Sequence, residues 1–244
     1  MIIEVPLDSL KSAVAAYNAG AQRIELTSNL CTGGYTPSIG LYKAVKESCP
    51  GIQIFVMIRP SVFTFCYTSE EFTTMAHDMQ MFDSEGADGF VLGALKPDGS
   101  VDVESLRQII KETQKPLTFH RAFDLTVDWK KAIEDIKSLG FSRILSSGQS
   151  DNAYMARNLL KEIVNYGQST GIIVMPGGGV NIDNIVEIAK YTGAKEIHAS
   201  GRENTFRTYT CGRFIKDLFE SKDQVIAQTN EDLVKIMIKR INKM

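Results

Sequence analysis

The sequence predicts a single-domain (β/α)₈ barrel, and three observations carry that prediction. A chain of 244 residues has the length of one such barrel. Short apolar runs alternate with helix-like stretches along the whole chain, the pattern of βα units around a parallel sheet. Two polar, glycine-rich knots, Met175-Pro176-Gly177-Gly178-Gly179-Val180 and His198-Ala199-Ser200-Gly201-Arg202, each follow an apolar run near the end of the chain. The loops after strands seven and eight of a barrel are where backbone N–H groups commonly gather around an anion.

Taken in order, the strands are Ile2–Val5, Arg23–Leu26, Ile54–Ile58, Gly89–Leu92, Pro116–Phe119, Arg143–Leu145, Ile172–Met175 and Glu196–His198. The run Ile54-Phe55-Val56-Met57-Ile58 is continuously apolar, as a strand buried on both faces requires. Asp8 or Ser9 opens a helix over Leu10–Ala19, and Thr68 or Ser69 opens one that ends near Gly86. Asp128 to Gly140, Asn152 to Gly167 and Ile182 to Gly193 repeat the polar start and the glycine stop. The tripeptides Ala19-Gly20-Ala21, Glu85-Gly86-Ala87 and Thr192-Gly193-Ala194 precede strands two, four and eight, as tight helix-to-strand turns demand. The whole chain, 1–244, reads as one domain. Residues from about 202 to 221 fit no βα unit and read as an arm that could seat a second copy in a homodimer. The stretch 223–243 reads as an amphipathic closing helix.

Composition excludes several classes. The net charge of −2 gives no electrostatic basis for nucleic acid or an anionic membrane as partner. No run of about 18 apolar residues is present to span a bilayer. The N-terminus lacks the basic and apolar regions of a signal peptide, and the four cysteines, Cys31, Cys49, Cys66 and Cys211, have no CxxC spacing. A reducing cytoplasm is the expected compartment.

In this fold the C-terminal strand ends face the active-site mouth. Those ends carry Glu4, Glu25, Arg59, His120, Arg121, Ser147, His198 and Ser200. Carboxylates, imidazoles and guanidiniums on one small floor are costly to desolvate unless paired, so they suit acid–base chemistry on an anionic substrate or coordination of a metal. The plainer alternative is that Glu4 and Glu25 only neutralise Arg59 and Arg121. Asp124 reads as the cap of a helix from Val127. Glu25, Arg59, His120, Arg121 and His198 are the candidate catalytic set. Ser147, Gly177, Gly178, Gly179, Ser200 and Gly201 are the candidate anion cradle. Cys31 and Cys66 lie in loops after strands two and three, on the same face, and are the available thiols for a soft metal.

Seven strings in order carry a family resemblance: Ile24-Glu25-Leu26, Gly33-Gly34-Tyr35-Thr36-Pro37-Ser38-Ile39-Gly40, Met57-Ile58-Arg59-Pro60, Thr118-Phe119-His120-Arg121-Ala122-Phe123-Asp124, Leu145-Ser146-Ser147-Gly148, Met175-Pro176-Gly177-Gly178-Gly179 and Glu196-Ile197-His198-Ala199-Ser200. Over Met1 to about Arg207 the chain resembles the CutC family. The resemblance implies a cytosolic barrel concerned with copper homeostasis and copper(I) as the metal bound. It also implies cysteines where this chain has Pro6, Thr27 and Ala199, while the polar floor is kept. Two functions follow as expectations: a copper(I)-handling protein, or a barrel enzyme of isomerase or lyase type acting on a small phosphorylated or carboxylated molecule.

Overall fold

The structure, a computed structural model, describes residues 1–61, 63–111, 113–208 and 223–244. Eight parallel strands form its centre: β1 (Ile2–Leu7), β2 (Arg23–Leu26), β3 (Gln53–Met57), β4 (Gly89–Leu92), β5 (Leu117–Phe119), β6 (Arg143–Ser146), β7 (Ile173–Pro176) and β8 (Glu196–His198). Their order in the sheet is β7-β6-β5-β4-β3-β2-β1-β8, and β7 lies against β8 to bring the ring nearly closed. The helices between them are α1 (Leu10–Asn18), α2 (Ile39–Ser48), α3 (Ser69–Ser84), α4 (Val103–Ile110), α5 (Trp129–Ser138), α6 (Arg157–Thr170) and α7 (Ile185–Thr192). This is the (β/α)₈ barrel that the strand pattern predicts. No helix among the described residues is long and apolar enough to cross a membrane.

Local chemistry sets the element ends. Ser9 Oγ accepts the Ser12 N–H at the start of α1. Thr68 and Glu71 form a reciprocal capping box on α3. Asp128 accepts from Lys130 and Lys131 on α5. Gly193, which ends α7, has φ +71°, a conformation that only glycine adopts freely. Two helices begin later than the sequence indicates: α6 at Arg157 and α7 at Ile185. The side chains of Asn152 and Asn181 hold turns before them instead, accepting from Tyr154 N and Asp183 N.

The barrel has two apolar layers. The large core lies between strands and helices and includes Val5, Ile24, Val56, Leu92, Ile144 and Ile197. Inside the ring, Phe55, Met57 and Val91 form a separate small cluster. Charged side chains fill much of the rest of the interior, beside Met175 and Leu145. Arg23, Arg143 and Glu196 open β2, β6 and β8, so alternate strands aim them into one layer. Gly89 opens β4 in that same layer, where a β-carbon would stand 2.6 Å from the Phe55 ring. Phe55 occupies the freed space, with the Arg23 and Arg143 guanidiniums 5.1 and 5.3 Å from its ring centre.

The end of the chain differs from the sequence reading. Residues 223–229 are not the start of the closing helix. They form β10 (Asp223–Thr229), antiparallel to β9 (Arg202–Thr208), in register from Asp223↔Thr208 to Thr229↔Arg202. This hairpin packs on α1, where Thr229 N–H donates to Ser12 Oγ at 3.3 Å. The closing helix is α8 (Glu231–Ile241), capped by Asn230 and burying Val234, Met237 and Ile241. The remainder of the arm, with Cys211, lies outside the described residues.

Candidate functional site at the barrel mouth

A cavity of about 560 Å³ opens at the C-terminal ends of the strands, with Glu25, Arg59, Arg121, His120 and His198 among its walls. Gly178, Gly179 and Ser200 line it too, so eight of the sequence-predicted site residues meet in one space. Ser147, Gly177 and Gly201 stand behind that wall. Gly177 packs against Leu145 and His198, and a β-carbon on Gly201 would press on Val234. Ser147 commits both its N–H and its hydroxyl to Asp124.

Glu4 is displaced from the position the sequence gives it. β1 runs on to Leu7, so Glu4 sits one layer below the rim, fully buried. Pro6 does not stop the strand, because its nitrogen faces the side where β8 has already ended: the last pair is Glu4↔His198, and Ala199 N–H bonds the Glu4 carbonyl. Glu4 Oε2 accepts from Arg23 Nε at 2.6 Å, and Arg23 Nη2 bridges to Glu196, which also takes Arg143 Nε at 2.8 Å. A ladder of alternating charge therefore rises through the barrel. Glu4 Oε1 meets His198 Nδ1 at 3.0 Å, and His198 Nε2 stands 3.7 Å from Glu25 Oε2.

The charge states follow from these neighbours. Burial pushes the Glu4 carboxyl up, but hydrogen bonding to His198 and the charge of Arg23 outweigh it and hold it below the usual range. Burial pulls His198 down, and Glu25 and Glu4 together outweigh that and raise it. Glu25 is 2% exposed and its Oε1 has no partner among the described residues. Burial pushes its carboxyl up to about 7, with Glu4 adding to the rise.

His120 is the opposite case. Its Nδ1 accepts the Ala122 N–H at 3.2 Å, which assigns the ring proton to Nε2. That Nε2 is buried and has no partner among the described residues. Burial, helped by Arg59, drives His120 down to about 3, so the ring is a neutral N–H donor. Gly93 makes room for it, since a β-carbon there would stand 2.8 Å from the imidazole. Phe65 stacks on His120 at 4.8 Å and under the Arg59 guanidinium at 4.7 Å. Arg59 is clamped from below: its N–H and C=O both bond Thr36, and Nη1 donates to the Gly34 carbonyl at 3.2 Å.

Asp124 does not cap a helix. It accepts from Ser146 Oγ at 2.7 Å, from Ser147 and from Gln149 N, and it holds Arg121 Nε at 2.8 Å. Arg121 also donates to Ser147 Oγ and to the Ser150 carbonyl. Its Nη1 lies beside Gly178, 3.4 Å from where a β-carbon would be. Gly178 and Gly179 have φ +94° and +71°, and a β-carbon on Gly179 would overlap the Asn152 amide. Among the described residues, none of the N–H groups of Gly178, Gly179, Val180, Ser200 and Gly201 finds an acceptor. Unpaired amides at Gly178, Gly179, Val180 and Ser200, lining one cavity with the Arg121 guanidinium, suit an anion.

Neither predicted thiol reaches the cavity. Cys31 is exposed and donates to Asn29 Oδ1 at 2.8 Å, and Cys66 packs half-buried against the outer core. Sequence reasoning also passed over Arg23, Arg143 and Glu196. The available signal was a charged residue opening each of three even-numbered apolar strands.

Fold and site together define a (β/α)₈ barrel with a charged, ligand-sized mouth. The CutC family model matches residues 1–203. A mouse protein named copper homeostasis protein cutC homolog is 42% identical over 204 residues, 83% of this chain and 74% of its own length. Its human counterpart is 43% identical over 204 residues, 82% and 73%. A solved structure of the putative copper homeostasis protein CutC from Streptococcus agalactiae is 34% identical, with a TM-score of 0.78, and covers 82% of this chain and 98% of its own. An N-(5'-phosphoribosyl)anthranilate isomerase from Pyrococcus furiosus, 13% identical with a TM-score of 0.60, shares the fold. The chain belongs to the CutC family. Most of the β9–β10 hairpin and all of α8 lie beyond the family match.

Copper(I) prefers thiolate and thioether donors. The cavity offers one thioether, Met57, and no thiol. Among the described residues, the one close group of three metal-ligating side chains of the His, Cys, Asp and Glu types is Glu4, Glu25 and His198, an oxygen and nitrogen set. These residues do not fit a thiolate copper(I) centre.

Proposed function

We propose that this chain keeps the copper-homeostasis role of its family, in the cytoplasm, and exercises it at the barrel mouth by binding a small anionic molecule rather than by thiolate capture of copper(I). The observation that supports this is the set of unpaired amides from Gly178 to Val180 and at Ser200, facing one cavity with Arg121. A phosphate or carboxylate accepts those N–H groups and takes charge-assisted bonds from Arg121 and Arg59. The same cavity is lined by Glu25, His120 and His198, which suits isomerase or lyase chemistry by proton transfer beside a carbonyl. His120 Nε2–H stabilises developing negative charge there. Ser147 and Asp124 serve by holding Arg121 in place.

The test is thermal unfolding in inorganic phosphate, sulfate and chloride at matched ionic strength. An anion that binds only the folded form at one hundred times its Kd adds about 2.7 kcal/mol. Stabilisation by phosphate that Arg121→Ala abolishes is the expected result, and equal behaviour in all three salts overturns the reading. In parallel, an anaerobic copper(I) competition titration compares the native chain with Cys31→Ser/Cys66→Ser. Tight binding lost in the double variant restores the thiol route.

A further inference from the structure

The cavity contains two imidazoles, and the fold fixes them in opposite ways. We propose that Glu4 is a positioning residue that holds His198 as the proton donor of the site, beside Glu25 as its proton acceptor, while His120 is fixed as an uncharged N–H donor. This assignment rests on the anionic-ligand reading and names the reaction class: a proton shift between adjacent carbons of a carbonyl compound.

The geometry carries it. Glu4 has no contact with the cavity, yet its Oε1 takes the His198 Nδ1–H at 3.0 Å, which turns Nε2 to the mouth. Arg23 grips the other oxygen, so the Glu4 carboxylate stays ionised and cannot swing away. His198 thus faces Glu4 on β1 and Glu25 on β2, with Arg23 one layer beneath and Gly177 of β7 at its back. Two carboxylates around one imidazole favour the imidazolium. His120 receives the Ala122 N–H at Nδ1 and has Arg59 close by, and both oppose a second proton. Glu25 Oε1 is the buried acceptor that the folded chain leaves without a donor.

The step balances within these groups. With an α-hydroxy carbonyl substrate, Glu25 takes the proton from the hydroxyl-bearing carbon and His198 Nε2–H delivers one to the neighbouring carbonyl oxygen, giving an enediol. Glu25 then returns its proton to the former carbonyl carbon while His198 Nε2 takes the proton of the other hydroxyl, which leaves the carbonyl shifted by one carbon and both groups as they began. The substrate is neither oxidised nor reduced, and nothing leaves it. Pairs of groups whose surroundings drive their proton affinities apart are the mark of assigned acid and base roles.

The chain has three histidines, so each imidazole can be assigned by single replacement. The experiment is ¹⁵N NMR of the imidazoles in the full chain without ligand. Expected in the native protein are a neutral His120 with its proton on Nε2 from pH 5 to 8, and a His198 that releases its second proton above the ordinary imidazole range. Glu4→Gln lowers the proton affinity of His198 about tenfold or more, Glu4→Asp restores it, and neither moves His120. A His120 that titrates between pH 5 and 8, or a His198 midpoint unmoved in Glu4→Gln, overturns the proposal. Should Glu4→Gln not fold, the native tautomers and Glu25→Gln, which also lowers His198, decide it. These readouts need no bound anion, so they fail or hold separately from the phosphate test.

Discussion

Acid should unfold this protein in large part through His120. The perturbation is a drop from pH 7 to pH 4.5. In the folded chain His120 takes its second proton at about 3, against 6.5 for an ordinary imidazole. Between those values the unfolded chain binds a proton that the folded chain refuses, so stability rises with pH across the window. The contribution is fully present above 6.5 and is lost progressively as pH falls toward 3. At pH 4.5 the gap is about two units, or roughly 3 kcal/mol at 1.36 kcal/mol per unit. The assay is urea unfolding of the native chain and of His120→Gln at both pH values. A glutamine amide can accept the Ala122 N–H and donate toward the cavity without titrating. Glu4 and Glu25 titrate alike in both proteins, so the difference between the two pH losses isolates the imidazole. Equal losses in the two proteins would refute the reasoning.

Three further outcomes follow from the same geometry. Glu25 takes its proton in the folded chain at about 7, above the ordinary 4.5, so its burial lowers stability as pH rises through that interval; Glu25→Gln should therefore be more stable than the native chain at pH 8 by urea unfolding, and a loss would show that the carboxylate is satisfied there. Arg23→Met strands Glu4 and Glu196 without their shared cation, and should cost about 3–5 kcal/mol by chemical denaturation; a loss under about 1 kcal/mol would mean that the ladder is not cohesive. Gly179→Ala forces a methyl group onto Asn152 at φ +71° and should cost about 1–2 kcal/mol and remove stabilisation by phosphate; unchanged phosphate response would move the anion elsewhere.

Much of the barrel is legible because its cues are local. Apolar runs such as Ile54–Ile58, glycines that end helices, and side chains such as Ser9, Thr68 and Asp128 act within a few residues of themselves. Residues 223–229 were misleading for the converse reason. Asp223–Thr229 carries a pattern compatible with either period, and what makes it a strand is β9, whose residues start 21 positions earlier at Arg202. Asp124 looks like a cap in sequence because a cap is a local role. Its actual partners, Ser146, Ser147 and Gln149, arrive from the next strand.

The candidate site divides along the same line. Sequence by itself determined that Glu25, Arg59, His120, Arg121, Gly178, Gly179, His198 and Ser200 share one rim, because strand ends in a parallel barrel all point the same way. Tertiary structure alone decided what each can do. Arg23 meets Glu196 across 173 positions, Glu4 meets His198 across 194, and His120 is enclosed by Gly93 and Phe65 from earlier in the chain. Proton affinity and ring orientation depend on burial and on partners within a few ångströms, and those are properties of the folded interior rather than of order along the chain.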